Sequence, residues 1–118
     1  MLQKKLVIVH TNNKLDELVS DMTDGTNSIG ELLNDKISFL GQLLREPDKC
    51  NAIVIYGKNA HKLLDKNNHN IKPFETQVYG PIVIICMDIN SEPQDFTLED
   101  YKDYIENYET KYKKNYHD

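Results

Sequence analysis

The stretch Q-V-Y-G-P-I-V-I-I-C-M, Gln77 to Met87, decides the fold. Its run from Ile82 to Met87 is wholly apolar, and four of the six residues are Ile or Val. β-Branched side chains lose rotamer freedom in a helix and fit a pleated surface, and a run of six is short for a helix. An unbroken apolar run, rather than an alternating one, indicates a strand that is covered on both faces. Gly80-Pro81 precedes this strand, and the polar segment from Asn90 to Pro93 ends it.

Two further segments have the composition of strands. They are Leu6 to Val9 and Asn51 to Tyr56, the second of which ends at Gly57. Together with Val78 to Met87 they predict an α+β fold, with a small mixed β-sheet of three or more strands flanked by helices. A chain of 118 residues has the size of one domain, so residues 1–118 are expected to share one core.

Helical spacing of apolar residues predicts helices between the first two strands. Lys14 to Met22 carries such a pattern, and so does Ile29 to about Arg45. Ser28 and Glu31 have the spacing of a capping box in front of the second helix. The segment Ile37 to Leu40 could instead form a strand, so both interpretations stay open there. Later in the chain, Ala60 to Leu64 suggests a turn of helix.

The segment from Asp65 to Asn70 contains no apolar residue. A polar stretch between two periodic segments is typical of a surface loop, and this one is predicted to be mobile.

The last segment predicts a long C-terminal helix. Thr97 is placed to cap it, and Asp100 occupies the position that reaches back in a capping box. Phe96 and Tyr101 have the spacing of a hydrophobic staple. Acidic residues concentrate near its start and lysines near its end, as the helix dipole favours. The helix is expected to run to about Tyr112.

Charge and composition limit the classes of partner. The formal net charge is −5, which argues against direct binding of nucleic acid, because that requires a basic face. Cys50 and Cys86 lie in apolar surroundings and are expected to be buried thiols. No apolar stretch approaches the roughly 20 residues of a membrane span, and Leu6 to Val9 is too short for a signal peptide. The sequence therefore predicts a soluble protein of the cytoplasm, with no membrane partner.

Residues that could carry catalysis or bind a metal are scattered. No G-x-S-x-G motif is present, and neither cysteine has a histidine nearby in sequence. His61 and His69 are separated by loop sequence, whereas metal ligands usually form tighter pairs. Gly25 to Ser28 leads into a predicted helix N-terminus, but no Walker lysine follows it. We therefore expect no enzyme, no metal and no cofactor.

The most distinctive surface predicted from the sequence lies on the C-terminal helix. Between Glu92 and Glu109 there are seven acids and one base, Lys102. Tyrosines recur at three- and four-residue steps, so they share one helix face. Tyrosine joins apolar area to a polar tip and is enriched at interfaces. The candidate partner-binding residues are Asp100, Tyr101, Asp103, Tyr104, Glu106, Tyr108, Glu109 and Tyr112.

Two interpretations of this pattern remain open. In the first, the helix is docked on the core, with Leu98, Tyr101, Ile105 and Tyr108 inward and the acids in water. In the second, the tyrosines and acids form an exposed surface that binds a host protein with a basic groove and stands in for nucleic-acid phosphates. The second interpretation predicts that reversing charges on this face weakens binding. A homo-oligomer is also compatible with the sequence.

The C-terminal third resembles a known family of small proteins of unknown function. The resemblance is carried by the strand Val78-Tyr79-Gly80-Pro81-Ile82-Val83-Ile84 and the helix start Asp95-Phe96-Thr97-Leu98-Glu99-Asp100. Members of that family are common in phages and other mobile elements of bacteria. The resemblance therefore implies a phage or plasmid accessory protein in a bacterial cytoplasm. Small acidic proteins of that setting often inhibit host defence, as anti-CRISPR proteins do, and this step is an analogy.

The leading hypothesis is thus a non-enzymatic protein that binds a host defence component, such as a nuclease, through an acidic, tyrosine-bearing surface. The alternative is a protein that binds or sequesters a nucleotide signal. A nucleotide site would need Arg or Lys at a pocket, and Arg45 is the single arginine.

Overall fold

A computed structural model describes residues 2–46 and 48–116. This part of the chain forms an antiparallel sheet with helical segments on both faces. The strands are β1 (Gln3–Val9), β2 (Leu15–Asp21), β3 (Ile37–Leu43), β4 (Ala52–Gly57), β5 (Lys66–Asn67), β6 (Val78–Tyr79), β7 (Ile82–Met87) and β8 (Pro93–Gln94). The α-helices are α1 (Asn27–Leu33) and α2 (Leu98–Glu106). The predicted α+β class is confirmed.

The main sheet has the order β2-β1-β7-β4-β3, and the short strand β8 pairs with the end of β7. The three predicted strands are confirmed as its three central ones, with β7 in the middle. Ile82 to Cys86 are all buried, so β7 is covered on both faces as its unbroken apolar run predicts. Gly80, with φ of +73°, separates β7 from the short strand β6, so the predicted strand from Val78 to Met87 is two strands.

The predicted helix from Lys14 to Met22 is wrong, because this segment is strand β2. It pairs with the whole of β1, from Val9 opposite Leu15 to Gln3 opposite Asp21. Leucines at positions 15 and 18 fit helical spacing, but in the strand they lie on opposite faces of the sheet. Pairing with β1 satisfies backbone groups along seven residues, and this outweighs a short and ambiguous apolar pattern.

The predicted helix from Ile29 to Arg45 is also wrong beyond its first turns. Helix α1 ends at Leu33, and Asn34 follows in the left-handed conformation with φ of 52°. The chain then enters β3, as the alternative interpretation proposed. The N-cap of α1 is Thr26, which makes no side-chain capping bond, so the predicted capping box of Ser28 and Glu31 is wrong as well.

Gly41 of β3 lies directly against the ring of Phe74. A Cβ at this position would lie 2.5 Å from Cε1 of Phe74, so the ring of Phe74 occupies the space that a side chain would need.

The long C-terminal helix is wrong in its second half. Helix α2 begins as predicted, with Thr97 and Asp100 in a capping box and Phe96 packed edge-on against Tyr101. It ends at Glu106, and the chain continues as a π-helical turn, Tyr108–Tyr112, and a 3-10 turn, Lys113–Tyr116. Asn107 marks the break, where its side-chain amide donates to the carbonyl oxygen of Asp103. Asparagine favours such local bonds over a continued helix.

The segment from Asp65 to Asn70 is more ordered than a mobile loop. Lys66 and Asn67 form β5, which pairs with β6. Asn67 is buried, and its side-chain amide donates to the carbonyl oxygens of Val9 and Gly80, both at 3.0 Å. These two bonds fix the loop to the sheet. The predicted turn of helix before it is a 3-10 turn, Ala60–Lys62.

The core has one cluster on each face of the sheet. One cluster, under α1, is made of aliphatic side chains and Met22. The other, under α2 and the C-terminal turns, contains the tyrosines, which pack against aliphatic side chains such as Val7, Val54 and Ile84.

Candidate functional site

The four tyrosines of the predicted binding surface lie inside the protein. Tyr101, Tyr104, Tyr108 and Tyr112 are exposed to 0%, 2%, 6% and 2%, respectively. The rings of Tyr104 and Tyr112 are stacked at 5.2 Å, and Tyr108 meets Tyr104 edge-on at 5.7 Å. We call this group, together with Tyr116, the tyrosine cluster. The docked interpretation is thus confirmed for Tyr101 and Tyr108 but wrong for Ile105, which is 42% exposed, and the prediction of an exposed tyrosine surface is wrong.

The hydroxyl groups of the cluster other than that of Tyr108 are hydrogen-bonded within the described residues. The Tyr104 hydroxyl donates to the carbonyl oxygen of Lys72 at 2.7 Å and lies 2.6 Å from the Tyr116 hydroxyl. Tyr116 in turn accepts from the backbone N–H of Leu44, and its hydroxyl lies 3.1 Å from the carbonyl oxygen of Gln42. Burial raises the pKa of Tyr104 and Tyr116, so both stay protonated. These bonds fix the C-terminal turns against β3.

His69 completes the buried polar contacts of this face. Its Nε2 lies 2.7 Å from the hydroxyl of Tyr101. Burial raises the pKa of Tyr101 and lowers the pKa of His69. The pair therefore joins a neutral phenol to a neutral imidazole, and the tautomer of His69 decides which of them donates.

The predicted carboxylates differ in what they contact. Asp100 accepts from the backbone N–H of Thr97 and lies 3.4 Å from the guanidinium of Arg45. Asp103 accepts from the Tyr112 hydroxyl, and this bond lowers the pKa of Asp103. Both carboxylates thus stabilise α2 and its junction with the π-helical turn.

The two remaining predicted acids are exposed. Glu109 lies 3.1 Å from Lys72 and 3.3 Å from Lys113, and the bond from Lys72 is the main cause of its lowered pKa. Glu106 has no ion pair or side-chain hydrogen bond among residues 2–46 and 48–116. Glu99, two turns earlier on the outer side of α2, likewise has no ion pair or side-chain hydrogen bond among these residues.

A groove runs between α2 and the segment Asn70–Lys72, with a volume of about 190 Å³. Its lining is mostly apolar and includes rings of the tyrosine cluster, together with Ile105, which is 42% exposed. Lys72 and Glu109 form an ion pair at its rim. We use the name α2 surface for this groove with Ile105, together with the exposed residues Glu99, Lys102 and Glu106 on the outer side of the same helix.

Arg45 has a structural position that its sequence context did not indicate. Its side chain is only 8% exposed, and its guanidinium lies 5.2 Å from the Phe96 ring centroid. It also donates to the carbonyl oxygen of Cys50 at 3.1 Å. Both cysteines are free thiols, and burial raises the pKa of Cys86 to about 12. The single arginine therefore holds the start of α2 against the sheet.

The histidines among the described residues have different surroundings. His10 contacts Asp16 at 2.8 Å, His61 is exposed, and His69 contacts Tyr101. Within residues 2–46 and 48–116, no group of three or more His, Cys, Asp or Glu side chains could hold a metal ion. In the same part of the chain, no helix has the length and apolar character needed to cross a membrane.

These features define an α+β protein whose antiparallel sheet carries a tyrosine-rich helical layer on one face. The chain belongs to a family described as "Family of unknown function (DUF5880)", which matches residues 7–104. The match extends from β1 into α2 and ends at the second tyrosine of the cluster. No curated protein and no solved structure matches the chain.

Proposed function

We propose that this chain is a non-enzymatic accessory protein of a phage or another mobile element that binds and inhibits a host defence component in the bacterial cytoplasm. The observation that carries this proposal is the α2 surface, an apolar groove beside exposed carboxylates. The mobile-element setting rests on the sequence resemblance of the C-terminal third.

The chemistry of the α2 surface favours a particular kind of partner. Glu99 and Glu106 are exposed and unpaired within the described chain, so they are free to meet cationic side chains. Ile105, which lines the groove and is 42% exposed, offers apolar area. A partner that fits has a basic surface, such as the nucleic-acid channel of a nuclease, and an apolar side chain that enters the groove.

The tyrosine cluster supports binding indirectly. Its rings and hydroxyl bonds hold α2 in one orientation before any partner arrives. Binding to a surface that is already ordered loses less conformational entropy. The hydroxyls of Tyr101 and Tyr104 are also engaged within the chain, which favours a binding role for the groove over a catalytic one.

The test uses bacteria that carry a nuclease-based defence system and are challenged with phage. We expect the wild-type protein to restore plaque formation and Glu99→Lys/Glu106→Lys to lose that effect. A control for charge reversal elsewhere is Glu31→Lys, on α1 at the opposite face of the sheet, which should retain it. If the double variant restores plaque formation as well as the wild type does, the proposal is contradicted.

A second pair of variants tests the groove. Ile105→Ser should weaken a complex with the purified nuclease by about tenfold, since apolar anchors in pockets carry much of an interface's binding energy. Ile89→Ser is the control, because Ile89 is 98% exposed and lies outside the groove. Affinity can be measured by calorimetry. Equal affinities for the two variants would remove the groove from the interface.

A further inference from the structure

A second cleft lies where β4 leaves the sheet, away from the α2 surface. It has a volume of about 390 Å³ and is lined by Tyr56, Gly57, Lys58, His61, Gln77 and Tyr79. Tyr56 is paired with Ile82, the first residue of β7, and Tyr79 precedes that residue by only Gly80-Pro81. The turn at Gly80 therefore brings both aromatic rings to the same corner of the sheet.

The two tyrosines of this cleft differ from the tyrosine cluster. Tyr56 and Tyr79 are half-buried, and their hydroxyls make no hydrogen bond with the other residues that the structure describes. The rings thus present surface to the cleft. A flat heterocycle can stack on the accessible part of such an aromatic ring.

The cleft lies in a locally basic part of an otherwise acidic chain. The segment from Lys58 to Lys66 contains three lysines and His61 against one aspartate, Asp65, in a protein of net charge −5. Lys58 and His61 line the cleft itself. An ammonium group beside an aromatic ring suits a ligand that joins a flat base to a phosphate.

The turn that presents Lys58 is fixed from both sides. The backbone N–H of Lys58 donates to the carbonyl oxygen of Lys36 at 2.8 Å. The carboxylate of Asp35 accepts from the backbone N–H of Asn59 at 2.8 Å and from its side-chain amide at 2.9 Å. Asp35 is thereby engaged in the turn, and the cleft's basic side chain stands on an ordered backbone.

Gln77 adds a side-chain amide that can form a hydrogen bond with a nucleobase. Its side-chain amide nitrogen donates to the carbonyl oxygens of Val78 and Asn67, at 3.0 and 3.3 Å. This orients the amide group, and its oxygen accepts from no other residue that the structure describes. An acceptor at this place complements the exocyclic amino group of a base such as adenine.

We propose that this cleft binds a free adenine nucleotide. The base stacks on the tyrosine rings, its amino group donates to the Gln77 side-chain oxygen, and the phosphates lie against Lys58 and His61. The cleft's volume is within the few-hundred-Å³ range of small-molecule sites. This assignment needs no residue of the α2 surface.

The test is a calorimetric titration of the whole chain with ATP, UTP, adenosine and inorganic phosphate. We expect ATP to bind most tightly, because only ATP offers the amino group, the base and the phosphates together. Tyr79→Ala and Lys58→Gln should each weaken ATP binding by about tenfold, as loss of one stacked base or one charged contact does. Tyr79→Phe, which keeps the ring, and Lys49→Gln, at the other end of β4, should bind as the wild type does.

Several results would overturn the proposal. They are no heat with ATP at millimolar concentration, equal affinity for UTP, or ATP binding that is unchanged in both Tyr79→Ala and Lys58→Gln. Binding of single-stranded oligonucleotides without binding of ATP would also overturn it. Ile105→Ser separates this site from the proposed function, since that variant should bind ATP normally even where it loses the protein partner.

Discussion

The two faces of the sheet are built from different kinds of side chain. The face under α1 buries aliphatic residues and Met22, with Ile29 as the single buried residue of that helix. The face under α2 buries the tyrosine cluster, in which Tyr104 and Tyr116 bond to backbone groups far away in sequence. An aliphatic core requires volume, whereas a buried hydroxyl requires a partner at a fixed place. The comparison therefore indicates that the α2 face specifies one arrangement of the chain.

The fully buried polar side-chain atoms of this face are all hydrogen-bonded within the described residues. Among residues 2–46 and 48–116, no buried side-chain nitrogen or oxygen lacks a partner. A fully bonded polar network rigidifies a core, and one that loses a member leaves a buried group unpaired. Substitutions on the two faces should thus have different signatures.

The largest effect is expected for Tyr101→Ala. Tyr101 is fully buried, so the variant should lower the free energy of unfolding by about 4 kcal/mol, as large aromatic-to-alanine truncations do. Denaturant unfolding measures this value. Near-UV circular dichroism should also change, because Tyr101 contacts Phe96 and His69.

The matched variant on the other face is Ile29→Ala, at an equally buried position. It should be destabilising by about 2–4 kcal/mol but leave the near-UV spectrum of the tyrosines as in the wild type. If both variants change the spectrum alike, the two faces are not independent and the comparison fails.

A smaller effect is expected for Tyr104→Phe, which removes only a hydroxyl. The Lys72 carbonyl and the Tyr116 hydroxyl then lose a partner, which should cost about 1–2 kcal/mol of unfolding free energy. Tyr56→Phe is the control, since that hydroxyl bonds to no other described residue, and its stability should remain within about 0.5 kcal/mol. Equal losses of unfolding free energy in Tyr104→Phe and Tyr56→Phe, measured by thermal or denaturant unfolding, would show that the hydrogen bonds of the Tyr104 hydroxyl add no stability.

The smallest effect concerns pH. Burial lowers the pKa of His69 below its ordinary value of 6.5, so below pH 6.5 the unfolded chain binds more protons at this residue than the folded chain. The contribution of His69 to the free energy of unfolding is therefore fully present above pH 6.5. It decreases as the pH falls through that value towards the pKa of the folded state. In His69→Gln, which cannot ionise, this part of the pH dependence should disappear. Unfolding curves of both proteins across this range measure the difference, and parallel pH profiles would contradict the assignment.

The central strands could be predicted because their sequence permits only one structure. Ile82 to Cys86 are apolar without interruption, and only a strand covered on both faces accommodates them at this length. Segment Leu15 to Asp21 could not be predicted in the same way. Its three apolar residues fit a helix as well as a strand, and its pairing with β1 is a long-range contact that a local pattern does not contain.

The candidate site shows the same limit on the C-terminal segment. The spacing of the tyrosines correctly indicates that they share a face, but spacing does not say whether that face meets water or the sheet. The polar partners that settle it, Lys72 and Gln42, lie about 30 and 70 residues away along the chain. The cleft at Tyr56 and Tyr79 was missed for a similar reason, although the lysines after Gly57 were a usable signal.

The last turn of the described chain also protects an edge of the sheet. β3 is an outer strand without a charged residue, and such edges readily add a strand from another molecule. Tyr116 occupies the outward N–H of Leu44 and the carbonyl of Gln42, and Asn115 donates to the carbonyl oxygens of Leu44 and Arg45. Two side chains from the C-terminal turn thus occupy backbone groups at the end of this edge, and shortening the chain before Asn115 would leave those groups open to a strand of another molecule.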